Sequence, residues 1–495
     1  MQIIAHSKAA IGQIDPMIYG HFLEHHHRQV YGGVYDPESK FADEDGFRTD
    51  VLEAMRAVRI PILRWPGGCF VSAYHWKDGV GKERLPSFDK AWRVEESNAF
   101  GTDEFVKLCR KLGCKPYICT NAGTGTAEEM SDWVEYCNLE TEGRWARLRI
   151  EGGNPAPHNV RYWSVGNENW GAHEMGAKKA AEWGDLVRES SKMLLRVDPA
   201  LELSAAAIPD AEWNMNLLRE AGRYLNWISI HSYWDFSPDG DTHFSYADTI
   251  LHTGEEISGI INRVRADITA WGLEKQIKIA YDEWNLKGWY HPNLIDNPHR
   301  EVTKEEYLYP RDKNDNNRLY TMADAVFTAC FLNTCIRNCD IVGMACFSPF
   351  VNTRGVICTH KDGLVLRPGY YVFYLYANLL KPTALNAWVM DVPQYTGEFR
   401  GKSMTVDMID AVVTCENGEY AIAAVNKDPE NSQTLAFSAL EEKLSRMRIH
   451  TLNGPRTDSY NDIGITEVGI ESSDWLPFDG TVTLPPHSVS VIEIQ

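Results

Sequence analysis

Along most of the chain, short apolar runs alternate with longer segments in which apolar residues recur every three or four positions. A first run at 2–5 stands alone. Residues 14–20 then lead into Glu24, and 60–68 read as a strand that ends on Arg64. Residues 102–112 form the clearest helix, with Phe105, Leu108, Cys109 and Leu112 on one face, Thr102 placed to cap it and Gly113 to stop it. The same rhythm predicts strands at 115–121, 161–165, 201–207, 227–233, 277–283 and 341–347. Helices are predicted at 127–138, 177–197, 213–221, 253–271 and 318–336.

The strand ends fall near Tyr19, Arg64, Asn121, Glu168, Ala207, Tyr233, Glu283 and Ser348. Eight strand–helix units with polar residues at the strand ends imply an α/β fold, a (β/α)8 TIM barrel. A doubly wound sheet would show a glycine-rich phosphate turn after its first strand, and the sequence has none there. After about residue 386 the runs become short, β-branched and separated by turn residues such as Glu416-Asn-Gly418, which predicts an all-β sandwich. The expected layout is an N-terminal strand within 1–14, a catalytic barrel over 15–386 and a β-sandwich over 387–495. The polar stretch 287–316 is too long for a bare connection and is expected to form a lid or subsite loop.

Composition narrows the function classes. The 495 residues carry a formal charge of −20, which argues against a nucleic-acid partner. No window approaches 18 consecutive apolar residues and the N-terminus lacks a leader pattern, so no membrane partner and a cytoplasmic location are expected. The 11 cysteines have no zinc-ligand spacing and are expected to be reduced thiols. His25, His26 and His27 are consecutive and cannot all converge on one ion from a strand. No metal and no cofactor are expected.

Two strand ends carry chemistry. Residues 161–171 run from an apolar strand into Asn167, Glu168 and Trp170, and 277–285 run into Glu283 and Trp284. Cleaving a glycosidic bond needs a proton for the leaving oxygen and a group that meets the developing cation; two carboxyls supply both. Their environments must differ, with the acid raised and the nucleophile ionised. Arg64 could orient a carboxylate, Glu24 could bind sugar hydroxyls, and the Tyr233 phenol could hold a carboxylate. Trp76, Trp92, Trp284 and Trp289 could stack on a sugar ring.

These motifs resemble the α-L-arabinofuranosidases of glycoside hydrolase family 51. Tyr19-Gly-His-Phe-Leu-Glu24, Leu63-Arg-Trp-Pro-Gly-Gly68, Tyr74 to Gly81, Trp163 to Gly171 and Asp282-Glu-Trp-Asn285 occur in the family's order. The resemblance implies a retaining, exo-acting enzyme with Glu168 as acid/base and Glu283 as nucleophile. It implies that Asn167 and Glu24 bind sugar hydroxyls, that Arg64 and Tyr233 hold the nucleophile, and that Cys69 and Trp92 line the subsite. It also implies that the first strand joins the sandwich, and that the chain forms a homo-oligomer, commonly a hexamer, acting on an arabinose-containing oligosaccharide. Phe347-Ser-Pro-Phe350 departs from the glutamine many members carry after strand eight. An endo-β-1,4-glucanase or β-xylosidase using the same two acids is the nearest alternative, and a non-catalytic carbohydrate-binding protein is the alternative from another class.

Overall fold

A computed structural model of the chain describes residues 1–236, 243–288, 299, 303, 314–440 and 443–495. Eight parallel strands close into a barrel: Gly20–Phe22, Ile62–Trp65, Lys115–Thr120, Tyr162–Val165, Glu202–Ala206, Trp227–Asp235, Lys278–Lys287 and Val342–Phe347. Each is followed by a helix on the outside, from Thr49–Ala57 after the first to Pro368–Leu379 after the last. Met17, Phe22, Tyr117, Tyr162, Trp227 and Met344 fill the barrel interior. It is therefore a packed core, and its polar side chains emerge at one end.

Local chemistry sets the element ends. The first strand begins only at Gly20, because Asp15 accepts the Met17 N–H and Pro16 starts a 3-10 turn over Pro16–Tyr19. Thr102 is not the cap of its helix. Its hydroxyl accepts the Trp133 indole N–H, and Glu104 reaches back to the Gly101 N–H instead. The helices expected from 177, 253 and 318 start at Ala180, Glu255 and Met322.

Gln2–Ala5 lies between Gln433–Ala439, to which it is parallel, and Trp388–Met390, to which it is antiparallel. Ala10–Gln13 pairs with Thr383–Leu385 at the edge of the larger C-terminal sheet. The expected division at 386–387 thus falls just after a strand of that sheet. The two sheets enclose a separate core that includes Ile3, Tyr420, Ile422, Leu435, Phe437 and Ile492. Arg337, at the end of the helix Met322–Arg337, ties barrel to sandwich through Asp410 at 2.9 Å. All eleven cysteines are free thiols. No helix among the described residues is long and apolar enough to cross a membrane.

Candidate active site

The carboxyl ends of the barrel strands open into a cavity of about 530 Å³. Glu24, Cys69, Trp92, Asn167, Glu168, Tyr233 and Glu283 all line it. Glu283 is fixed from both sides: Arg64 donates to Oε1 at 2.6 Å, and the Tyr233 phenol donates to Oε2 at 2.8 Å. Arg64 itself is fully buried behind the cavity, where it also donates to Asn167 Oδ1 at 2.9 Å and pairs with Asp282 Oδ2 at 3.3 Å. It acts on the carboxylates and does not reach the space a substrate would fill.

The seventh strand presents two consecutive acids inward. Its register shifts against both neighbours, between Ser229 and His231 on one side and between Tyr281 and Trp284 on the other. An extra residue in a strand breaks the alternation of faces, so Asp282 turns to Tyr117, Ser229 and Arg64 while Glu283 reaches the cavity. Glycines carve the remaining space. A Cβ on Gly68 would lie 2.5 Å from Glu24 Oε1, and one on Gly166, at φ +69°, would lie 2.1 Å from Asn169 Oδ1. The bare backbone at Gly68 therefore admits the Glu24 carboxylate, which accepts from the Phe70 N–H at 3.0 Å and the Trp92 indole at 3.2 Å. Burial first, and then the Glu283 charge, push the Glu24 carboxyl well above the usual carboxylate range.

Glu168 is held by two histidines, with Oε1 2.8 Å from His231 Nδ1 and Oε2 2.7 Å from His173 Nε2. Burial would raise its pKa, but the bonds from His173 and His231 outweigh it and keep the carboxyl below its ordinary value. This reverses the raised acid expected for the free protein. His231 moves the other way: burial opposes its charge, yet Glu283, Asp282 and Glu168 around it push it up to about 10. Oxygens of Glu168 and Glu283 lie within 4.8 Å of each other, with His231 between them. That spacing suits direct attack on a sugar, since two acids that must leave room for a water stand ~6.5–9.5 Å apart.

Independent comparisons fit this geometry. The profile described as alpha-L-arabinofuranosidase 1 domain matches residues 54–248, and that described as alpha-L-arabinofuranosidase C-terminal domain matches 282–488. An intracellular exo-alpha-(1->5)-L-arabinofuranosidase from Halalkalibacterium halodurans is 34% identical, over 86% of this chain and 84% of that one. The crystal structure of a Thermotoga maritima alpha-L-arabinofuranosidase in an arabinose complex is 34% identical and superposes with a TM-score of 0.85 over 99% of both chains. The GH51 alpha-L-arabinofuranosidase of Thermotoga petrophila is 33% identical, with a TM-score of 0.86 over 100% of both chains. The chain belongs to the family 51 α-L-arabinofuranosidases. It is a glycoside hydrolase.

Within this arabinofuranosidase the expected site residues separate by position. Among the described residues the buried Asn167 Nδ2 has no hydrogen-bond partner, so a donor waits at the cavity wall. Trp284 is a correction. It is fully buried, stacks on Phe331 at 3.7 Å and does not line the cavity, because the bulged strand turns it to the helix layer. Trp76 is likewise buried, stacked on Trp133. Trp289 and most of the 287–316 stretch lie outside the described residues. Where many relatives carry glutamine, Ser348 and Pro349 line the wall, and the Ser348 hydroxyl donates to the Tyr233 phenol oxygen at 2.8 Å. His231, His173, Asp282 and Trp170 were not among the residues expected from the sequence. His231 had a usable signal: it lies two residues before Tyr233 on one strand, and alternate residues share a face.

Proposed function

We propose that the chain is a retaining, exo-acting α-L-arabinofuranosidase that releases terminal arabinofuranose from arabino-oligosaccharides or arabinoxylan fragments, with residues 15–386 as its catalytic unit. The observation that carries the reading is the pair Glu168 and Glu283, with oxygens within 4.8 Å, at the mouth of one barrel. Glu283, aimed by Arg64 and Tyr233, attacks the anomeric carbon while Glu168 protonates the leaving oxygen; Glu168 then acts as base on water. Asn167 Nδ2 and the carboxyl of Glu24 meet ring hydroxyls, and Trp92 and Cys69 bound the subsite. The acid-and-nucleophile pair needs no metal or cofactor. The name of the Halalkalibacterium relative supports a cytoplasmic place of action. The family resemblance supports a homo-oligomer, which light scattering on the purified chain tests.

The test is hydrolysis of aryl α-L-arabinofuranoside beside aryl β-glucoside and β-xyloside, with Glu283→Ala as control and NMR of the first anomer released. Fast arabinoside turnover with retained configuration, lost in the variant, is the expected result. Full activity in Glu283→Ala would overturn the assignment. Cleavage of the β-glycosides alone would keep the two-acid chemistry and discard the substrate.

A further inference from the structure

Overlapping the catalytic pair at Glu168 sits a set of metal-ligand side chains, of which His173 and Glu174 have no part in the proposed hydrolysis. Cys69, Glu168, His173 and Glu174 each bring one ligand atom into a set whose members all lie within 4.8 Å of one another. Cys69 opens the short 3-10 helix Cys69–Ala73 after the second barrel strand, while the other three sit on the loop after the fourth. A separate observation points to a ligand there. Glu174 is buried, its Oε1 accepts from Ser72, the Cys69 thiol bonds its carboxyl, and among the described residues its Oε2 makes no hydrogen bond of good geometry and lies 4.0 Å from His173 Nε2. A buried carboxylate oxygen met only by a thiol and a distant imidazole is under-satisfied, and a cation between the three would meet it.

The geometry points to a Zn²⁺ site made by Cys69 Sγ, His173, Glu174 and Glu168, through which the cation reversibly inhibits the enzyme. Thiolate, imidazole and carboxylate are the donors zinc takes in four-coordinate sites, where bond lengths of about 2.0–2.3 Å set such ligand atoms ~3.3–3.6 Å apart around the ion. Drawing this set together therefore takes side-chain shifts of under about 1 Å. Cys69, Glu168 and His173 line the cavity, which gives the ion a path in. Cys69 enters as a thiol (S–H), the form an unactivated cysteine holds at neutral pH. Forming the Zn–S bond releases that proton to the buffer. The bound ion occupies Glu168, displaces its contact with His173 and leaves no carboxyl to protonate a leaving group. The inhibition, though not the binding, rests on the acid/base role proposed for Glu168.

The test titrates ZnCl₂ into the full-length protein in a non-coordinating buffer and follows three signals: bound zinc per chain after desalting, arabinosidase rate, and the thiolate charge-transfer band with Co²⁺ as probe. Cys69→Ser and Glu174→Gln are compared, each rate referred to its own zinc-free value. One zinc per chain is expected, with chelator-reversible loss of rate. Each variant should weaken binding by about tenfold or more, the scale on which even outer partners of a metal act. The Co²⁺ band should vanish only in Cys69→Ser. Failure to bind stoichiometric zinc would overturn the site. So would binding unchanged in both variants, which would put the ion on Glu168, His231 and Glu283. Zinc bound as expected with the rate untouched would uphold the site and overturn the role of Glu168.

Discussion

Replacing Arg64 with methionine tests the electrostatic frame under Glu283, the proposed nucleophile. Arg64 and Asp282 are both fully buried, and the guanidinium touches Glu283 at 2.6 Å, Asn167 at 2.9 Å and Asp282 at 3.3 Å. Methionine fills much of the same volume but leaves the two buried carboxylates only His231 as a cation, at 3.3 Å from Asp282 and 3.6 Å from Glu283, and breaking such a pair costs about 3–5 kcal/mol. Asp282 keeps Tyr117 at 2.7 Å and Ser229 at 2.6 Å, which places the expected loss near the lower figure. The pH dependence has a definite sign. In the parent, burial raises the Asp282 carboxyl, but Arg64 above all, with His231 and Ser229, holds it below its ordinary value. Its contribution is therefore complete above the unfolded value of about 3.9 and does not change between pH 7 and pH 5. Without Arg64, only His231 and Ser229 oppose burial, and the expected outcome is a folded pKa above the unfolded one. The variant then gains stability as pH falls, by up to about 1.4 kcal/mol per pH unit for one proton. Urea unfolding followed by tryptophan fluorescence at pH 7 and pH 5 reads the difference directly. A gap between parent and variant that stays constant or widens at pH 5 would refute the reasoning; so would failure of an added Asp282→Asn to recover stability at pH 7.

Other outcomes follow from single contacts. Asn167→Ala should lower kcat/KM for the arabinoside by about 10–100-fold, the worth of one or two hydrogen bonds to a polar sugar, and steady-state kinetics with intact folding checks it. Trp284→Ala should cost about 3–5 kcal/mol in urea unfolding, because it empties a stacked core position, whereas Trp92→Ala should act mainly on KM. Gly68→Ala puts a Cβ 2.5 Å from Glu24 Oε1. It should cut turnover by displacing that carboxylate while the far-ultraviolet circular dichroism stays unchanged.

The barrel was legible because parallel strands covered on both faces leave near-continuous apolar runs, and their polar ends stand out. Glu168, Glu283 and Asn167 could be found for that reason. Trp284 could not be placed, because strict alternation next to Glu283 fails once the strand bulges, and a bulge leaves no mark in the residue pattern. His173 and Glu174 lie in the irregular loop after the fourth strand, where no periodicity reports direction. The cap at Gly101 was missed because Thr102 is a strong cap former whose hydroxyl was already taken by Trp133, a contact 31 residues away. For Trp284, Glu174 and Thr102 the deciding partner is distant in the chain.

The low carboxyl of Glu168 in the free protein does not conflict with its proposed part as an acid. His231 holds a proton because Glu283, Asp282 and Glu168 surround it, and its Nδ1 stands 2.8 Å from Glu168 Oε1 and 3.6 Å from Glu283 Oε2. The proton the leaving group needs is thus stored one hydrogen bond from the carboxyl that delivers it. Glu283 is the largest influence holding that proton on the imidazole, and in the proposed mechanism its attack on the sugar turns that charge into a neutral ester. As the ester forms, His231 loses its main anionic support and its hold on the proton weakens at the moment the leaving oxygen gains charge. Hydrolysis of the ester restores the Glu283 carboxylate and recharges His231. The acid strength of the site is then set by the charge on the nucleophile and not by burial of Glu168, and its apparent titration belongs to the cluster. Replacing His231 with glutamine should therefore slow substrates with poor leaving groups far more than activated aryl arabinosides. Equal losses on both, read as kcat/KM, would show that the imidazole serves only to hold Glu168 in place.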